Sequence, residues 1–186
     1  MSLTRPLLRP AMVIERAVLL SADGSVARAV AVAVGAWKRQ GYVCVALHCG
    51  VRNGGDDLEG MRAEVMHQRR IDTALRGFGG VLDATLLCPR PGEVVDEDVP
   101  RPSRFARLII EAAAAHRIDL LRSLMVARNH DAIEGAAIAG LRNVLVVAEG
   151  KAGAPSAPGL ARPDFVVHAF GDVLPLIAPR DRKSVV

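Results

Sequence analysis

The chain has 186 residues, which is enough for one domain with a full hydrophobic core. Its residues are 51% hydrophobic, mainly Ala, Val and Leu, and only 3% aromatic, a balance typical of Ala-rich helices packed on Val- and Leu-rich parallel strands. The net charge is +4, but no basic run is interleaved with aromatic residues, so we expect no nucleic-acid partner.

The first half of the chain alternates apolar runs with stretches of helical periodicity. Residues 1–13 predict a flexible N-terminal lead-in. An apolar run at 15–20 predicts the first strand, which ends in the phrase SADGS at residues 21–25 and so places a carboxylate at the carboxyl edge of the sheet. We expect a helix at 26–40, a strand at 42–48, a glycine-rich loop at 50–55, a helix at 56–76 and a strand at 80–88.

The second half opens with a long Pro-rich segment at 89–102, which predicts a loop. Its acidic cluster is interpreted as solvated, with binding of a cation or a basic partner as the alternative. We expect a helix at 103–116, a strand at 124–127, a helix at 132–139, a strand at 144–147, a loop at 150–163, an edge strand at 165–168, a helix at 171–177 and a polar tail at 179–186.

Strands and helices alternate almost without exception. This pattern predicts an α/β fold: a single Rossmann-like domain of three α/β/α layers with a mainly parallel sheet, spanning residues 14–178. Ligands of such sheets bind beyond the carboxyl ends of the strands. Four loops are expected at that edge, at residues 21–25, 49–55, 89–102 and 128–131.

The three cysteines indicate neither a disulfide framework nor a zinc knuckle, because their number is odd and none are spaced as CxxC. Cys44 lies in an apolar strand and is expected to be a small core residue. No segment is long and apolar enough to span a bilayer, and the N-terminus lacks the features of a signal peptide. We therefore expect a cytoplasmic protein without a membrane partner.

The four loops, in this order, resemble those of the haloacid dehalogenase (HAD) superfamily. The resemblance covers about residues 16–177 and is nearest to small capless phosphatases similar to heptose bisphosphate phosphatase and histidinol phosphatase, so it implies a HAD-like fold without a cap domain. In that family the loops read Asp-x-Asp-Gly-Thr, Thr-Asn-Gln-Ser-Gly, a cysteine-rich segment ending in Arg-Lys-Pro, and Gly-Asp-x-x-x-Asp. They supply a nucleophilic aspartate, a second aspartate as general acid and base, a hydroxyl and a lysine for the phosphoryl group, and ligands for magnesium.

The first two loops of this chain match that pattern in part. Ser21 stands at the nucleophile position, whereas Asp23 keeps the acid/base position and Ser25 follows glycine as threonine does in the family. Ala46 stands where the phosphate-binding hydroxyl belongs. The resemblance therefore implies a relic acid/base at Asp23 and an inactive nucleophile position at Ser21.

The third and fourth loops have lost ligand residues. Cys88 remains from the zinc site that the resemblance implies, but its partners are replaced, so we expect that site to be lost. Arg101 keeps the positive charge of the family lysine, and Arg128 and Ala132 occupy acidic positions of the magnesium site. The replaced zinc positions are Arg90, Glu97 and Val99.

The charged residues at this edge allow two interpretations. Arg101, Arg128 and Ser25 are candidates for binding phosphate or another small anion. Alternatively, Arg128 pairs with Asp23 or Asp131 and closes the site; for Asp23, pairing with Arg128 or Arg101 is favoured. A thiolate at Cys49 activated by His48 is disfavoured, since adjacent strand residues point to opposite faces.

The coherent losses predict a catalytically inactive phosphatase homologue, a pseudoenzyme that acts as a binding or regulatory module for a protein partner or an anion. The alternative is an active HAD-type phosphatase, a phosphoric monoester hydrolase acting on a sugar phosphate or another small metabolite phosphate through Asp23. A third hypothesis is a structural subunit of a larger assembly. We expect no cofactor, and magnesium only if the chain is an enzyme.

Overall fold

In the described part of the chain, six parallel strands form one sheet. The computed structural model describes residues 7–48, 58–87, 100–147 and 161–177. Within those ranges the strands are β1 (Ala11–Glu15), β2 (Val43–His48), β3 (Ala84–Leu87), β4 (Leu124–Ala127), β5 (Arg142–Val146) and β6 (Phe165–Val167). The helices are α1 (Arg16–Leu19), α2 (Arg28–Arg39), α3 (Leu58–Arg76), α4 (Arg101–His116), α5 (His130–Ala139) and α6 (Leu174–Ile177), with 3-10 turns at Leu120–Arg122 and Phe170–Val173.

The strand order is β3-β2-β1-β4-β5-β6, and all neighbouring strands are parallel. The chain builds outward from β1 to β3, crosses back to β4, and builds outward again to β6. This confirms the predicted Rossmann-like domain of three α/β/α layers. The switch point lies between β1 and β4, and ligands of open parallel sheets bind beyond the carboxyl ends of the strands at such a point.

Side chains alternate along the strands and divide the core into two layers. Met12 and Ile14 pack on the face covered by α2 and α3, together with Trp37. The Trp37 ring is fully buried, and its centroid lies 5.2 Å from that of Phe170. Val13 points to the other face, which α4 and α5 cover. Both faces of β1 are therefore covered, and its carboxyl end is fixed in the middle of the sheet.

The first strand was predicted in the wrong place. β1 covers Ala11–Glu15, and α1 occupies most of the range where a strand was expected. Residues 11–13, which we expected in the flexible lead-in, are almost completely buried in the sheet. Leu20 then forms an isolated antiparallel bridge with Val26. The phrase at residues 21–25 is consequently the tip of a short turn, several residues beyond the end of the strand.

The other predicted elements within the described ranges are confirmed, with ends that move by a few residues. Cys44 is fully buried in β2 as a free thiol, as expected, and burial raises its pKa to about 12. Within the described ranges, no helix combines the length and the hydropathy that a bilayer span requires. The following predictions lie outside the described residues: the loop at 50–55, Cys49, Cys88, the acidic cluster and zinc positions between 89 and 99, most of the loop at 150–163, and the tail at 179–186.

Ser123 fixes the amino-terminal end of the sheet. Its buried hydroxyl accepts a hydrogen bond from the amide of Ala11 (2.8 Å) and donates one to the carbonyl of Asp119 (2.5 Å). Ser123→Ala leaves the buried Ala11 amide without its acceptor, so we expect the free energy of unfolding in urea to fall by about 1–3 kcal/mol. Ser21→Ala, at an exposed hydroxyl, is the control and should change it by less than about 0.5 kcal/mol. Equal stability of the two variants would contradict this role.

Candidate functional site

Glu15 places a carboxylate at the switch point of the sheet. It is the last residue of β1, and its Oε2 accepts hydrogen bonds from the amides of Arg128 (2.7 Å) and Asn129 (3.1 Å). Both amides belong to the loop that follows β4, the strand beside β1. A carboxylate that accepts two backbone amides is held in place and has fewer free lone pairs for other partners.

The loop after β4 leads directly into α5. Asn129 is the N-cap of this helix, and its Oδ1 accepts a hydrogen bond from the amide of Asp131 (2.8 Å). The side chain of Arg128 is exposed beside this helix start. Backbone amides and the helix dipole favour negative charge here, and Glu15 supplies it.

Arg101 lies on the same side of the sheet as this loop. It is the first residue of α4, and the carbonyl oxygen of Pro102 would lie 2.7 Å from a Cβ built at Gly135 in α5. The backbones of α4 and α5 therefore meet closely, and the first turn of α4 lies beside the middle of α5. The backbone of Arg101 is thus placed at the candidate site, whereas its side chain is outside the described part of the structure.

Ser21, Asp23 and Ser25 form an exposed turn of their own. The carboxylate of Asp23 accepts hydrogen bonds from the Ser25 amide (2.9 Å) and hydroxyl (2.7 Å), and these bonds hold the pKa of Asp23 below its ordinary value. Gly24 has φ 78°, a conformation that favours glycine. The placement of Ser21 and Asp23 at the end of the first strand is therefore wrong. Among the described residues, Asp23 forms no ion pair with Arg128.

Two further positions are filled by alanine, as the sequence showed. Ala46 is fully buried and pairs with Ile14 of β1 inside the sheet. Ala132 is fully buried in the first turn of α5. Neither position carries a polar group toward the edge. Within the described ranges, no three His, Cys, Asp or Glu side chains are grouped closely enough to hold a metal ion.

A second polar cluster lies beside Glu15 at the ends of β1 and β2. Arg16 is buried, and its guanidinium pairs with both carboxylate oxygens of Glu64 from α3: Nη1 bonds to Oε1, and Nη2 lies 3.3 Å from Oε2. The same Nη2 lies 2.9 Å from Nε2 of His48, the last residue of β2. Nε2 of His48 is 3.9 Å from Glu64. We call Arg16, His48 and Glu64 the edge cluster.

The environment of the edge cluster lowers the pKa values of His48 and Glu64. Burial lowers the pKa of His48 below its ordinary 6.5, and the neighbouring positive charge of Arg16 lowers it further, while Glu64 opposes both. The hydrogen bond from Arg16 holds the pKa of Glu64 below its ordinary value, against the effect of burial. Both shifts favour a neutral imidazole beside an Arg16–Glu64 ion pair at neutral pH.

Glu15, Arg16 and Glu64 were not predicted as functional candidates from the sequence. A signal for Glu15 was present: a four-residue apolar run begins after Pro10 and ends directly at this acidic residue. No comparable signal existed for Arg16 and Glu64, because they are 48 positions apart and meet only when α3 packs beside β2.

The fold resembles that of solved HAD-like phosphatases. A protein from Mesorhizobium loti assigned as a HAD-like phosphatase is 22% identical, with a TM-score of 0.67, over 92% of this chain and 87% of that one. The D,D-heptose 1,7-bisphosphate phosphatase of B. bronchiseptica, solved with magnesium and phosphate, is 19% identical, with a TM-score of 0.66, over 91% of this chain and 98% of that one. The enzyme of the same name from Burkholderia thailandensis is 20% identical, with a TM-score of 0.65, over 91% and 99%.

These similarities confirm the expected HAD-like fold, and at this level of identity they show the fold alone. The alignments with this chain cover 87–99% of the length of these three neighbours, which agrees with a single domain that carries no cap. No family model and no curated protein matches the sequence.

Proposed function

We propose that the chain is a catalytically inactive phosphatase homologue, which binds a small anion or a protein partner at the carboxyl edge of its sheet. One observation supports this most: the only acidic residue at the end of β1 is Glu15, and its carboxylate is engaged by two backbone amides of the neighbouring loop. Both bonds go to Oε2 and hold the carboxylate against the loop after β4, whereas an attacking carboxylate must be directed at phosphorus.

The position of β1 changes how the sequence corresponds to the HAD-type motif. The resemblance places the nucleophile at the end of the first strand and the acid/base aspartate two residues later. With β1 ending at Glu15, those positions hold Glu15 and Ala17, and an alanine methyl group cannot transfer a proton. Glu15 is also one methylene longer than aspartate, and its Oε2 reaches the two amides of the loop after β4.

The residues of this edge do not fit a magnesium ion. Such an ion prefers several oxygen ligands, including carboxylates. In this chain Oε2 of Glu15 is bound by two amides, and the resemblance places Arg128, a cation, at the position of a metal-ligating aspartate. The same charge favours an anion instead, since an exposed guanidinium offers paired donors to phosphate or carboxylate.

Anion binding is tested by thermal unfolding with inorganic phosphate, without magnesium and at constant ionic strength. At about 100 times Kd the ligand adds about 2.7 kcal/mol, which raises the Tm of a chain of this length by about 5–10 °C. Arg128→Ala should abolish this shift. The matched control is Arg122→Ala, which removes an exposed arginine at the other end of β4 and should leave the shift intact. If phosphate does not raise the Tm of the wild-type protein, the anion site is contradicted and the protein-partner hypothesis remains.

Absence of catalysis is tested with magnesium and a panel of sugar phosphates and other small metabolite phosphates. We expect wild type, even at high protein concentration, to release no more phosphate than Glu15→Gln. Release by wild type that Glu15→Gln abolishes would establish instead an active phosphatase with Glu15 as its nucleophile. Release lost in Asp23→Asn would support an active phosphatase that works through Asp23, although Asp23 is bonded within its own exposed turn.

A further inference from the structure

We propose that the edge cluster is an acid-sensitive latch, in which Arg16, His48 and Glu64 fasten the first half of α3 to the ends of β1 and β2 near neutral pH and release it when His48 takes up a proton. This inference concerns the motion of α3 and does not depend on the proposed binding function.

The geometry fixes where the proton of His48 lies. A guanidinium carries only hydrogen-bond donors, so the imidazole nitrogen 2.9 Å from Nη2 of Arg16 must be an acceptor. Nε2 therefore carries a lone pair, and the single proton of the neutral ring is on Nδ1. A second proton would have to enter at Nε2, where it would point directly at the N–H of Arg16.

Protonation therefore breaks the contact between Arg16 and His48. It places two positive groups at hydrogen-bond distance, and it gives Glu64 a second cation 3.9 Å away. The protonated ring then competes with Arg16 for the carboxylate. Within the described residues, the charged or titratable groups that face His48 are Arg16 from α1 and Glu64 and His67 from α3, and the strand partner of His48 in β3 is the apolar Leu87.

Among the described residues, the edge cluster provides the ion-paired attachment of the first half of α3. In the second half, Ile71 and Leu75 are buried in the core. Among the described side chains between residues 59 and 70, none is buried, and Val65 and Met66 are each 51% exposed. Loss of the ion pair thus leaves the described side chains of this half-helix without a buried anchor, a condition typical of segments that open locally.

The direction of the pH dependence follows from the lowered pKa of His48. An unfolded or released His48 binds its proton near 6.5, and the latched form binds it only at lower pH. The latch is therefore fully effective above about pH 6.5 and weakens as the pH falls through the pKa of the latched form. The lowered pKa of Glu64 acts in a separate window below its ordinary value of 4.5.

Amide hydrogen exchange of the intact chain tests the proposal. Protection factors, corrected for the intrinsic effect of pH, are compared between about pH 7.5 and about pH 5. In residues 59–67 protection should fall by up to about tenfold per pH unit below 6.5. In residues 71–76, which include Ile71 and Leu75, it should remain unchanged.

The variant His48→Gln distinguishes the effect of protonation at residue 48 from the effect of its hydrogen bond with Arg16. The glutamine amide oxygen can accept the bond from Arg16 but does not titrate, so residues 59–67 should keep their neutral-pH protection at about pH 5. His168→Gln, at an exposed histidine after β6, is the matched control and should retain the pH response of wild type.

Three results would overturn the proposal: wild-type protection that does not change with pH, a His48→Gln variant as acid-sensitive as wild type, or wild-type His48 whose neutral form carries its proton on Nε2. The last is read from the nitrogen chemical shifts of the imidazole. This measurement decides the question even if His48→Gln does not fold, because it uses the native protein.

Discussion

Gly135→Ala is expected to destabilise the protein by about 2 kcal/mol, even though alanine is the better helix former. A Cβ at this position of α5 would lie 2.7 Å from the carbonyl oxygen of Pro102 and closer still to the Cβ of Phe105, both in α4. Overpacking of this kind costs about 1–3 kcal/mol, and we expect the upper end because the contact is with a helix backbone. The higher helix propensity of alanine compared with glycine offsets about 1 kcal/mol of this cost.

The measurement is urea unfolding of Gly135→Ala beside Gly171→Ala. Among the described residues, no atom beyond its chain neighbours lies within 4 Å of a Cβ built at Gly171, and its φ is not positive, so this control should remain within about 0.5 kcal/mol of wild type. The altered crossing of α4 and α5 should also weaken any response to phosphate, because it moves the start of α4 relative to the loop of Arg128. A Gly135→Ala variant as stable as wild type would show that the two helices separate freely.

The sequence predicted the elements whose apolar runs are long or bounded by clear stop signals. β2 follows the Gly41 turn as an unbroken apolar run, and β4 was predicted at its exact residues. A run that is buried on both faces has no alternation, so it is recognised by its length and its borders.

β1 was misplaced because two short apolar runs lie on either side of Glu15 and Arg16. The run after them, which ends at Leu20, is as apolar as the run before them and was taken for the strand. It forms the single helical turn α1 and a bridge to Val26. One turn is too short for a period of 3.6 to be distinguished from a strand.

The loop of Arg128 was predicted at the carboxyl edge of the sheet, where it lies, whereas Ser21 and Asp23 were placed at the end of β1 and lie beyond α1. The resemblance gave the loop of Arg128, which the structure confirms beside the end of β1. It could not give Glu15, because the motif was matched to the phrase at residues 21–25, and β1 ends six residues before Ser21. Nor could it give the edge cluster, since contacts between α1, β2 and α3 depend on tertiary packing rather than on local spacing.

Replacing Glu64 should lower the free energy of unfolding much more than replacing Arg16, although the two residues form one ion pair. The side chain of Arg16 is 8% exposed, whereas that of Glu64 is 25% exposed. Glu64→Met leaves a buried guanidinium without a counter-charge, so we expect a loss of about 3 kcal/mol at neutral pH. Arg16→Met leaves a carboxylate that water can reach, and its loss should be nearer about 1 kcal/mol.

The double variant Arg16→Met/Glu64→Met completes the cycle. With both charges removed, the site is apolar, and the stability of the double variant should lie above that of Glu64→Met and close to that of wild type, which corresponds to a coupling of about 4 kcal/mol. The difference in the free energy of unfolding between wild type and Glu64→Met should also become smaller below about pH 4.5. The pKa of Glu64 is lowered in the folded protein, so the carboxylate stabilises the fold above that pH, and this stabilisation is lost as the carboxylate is protonated. The pairing would be contradicted if the stability losses of the two single variants were additive in the double variant and did not change at low pH. In that case packing alone would have to attach α3 to the end of β1.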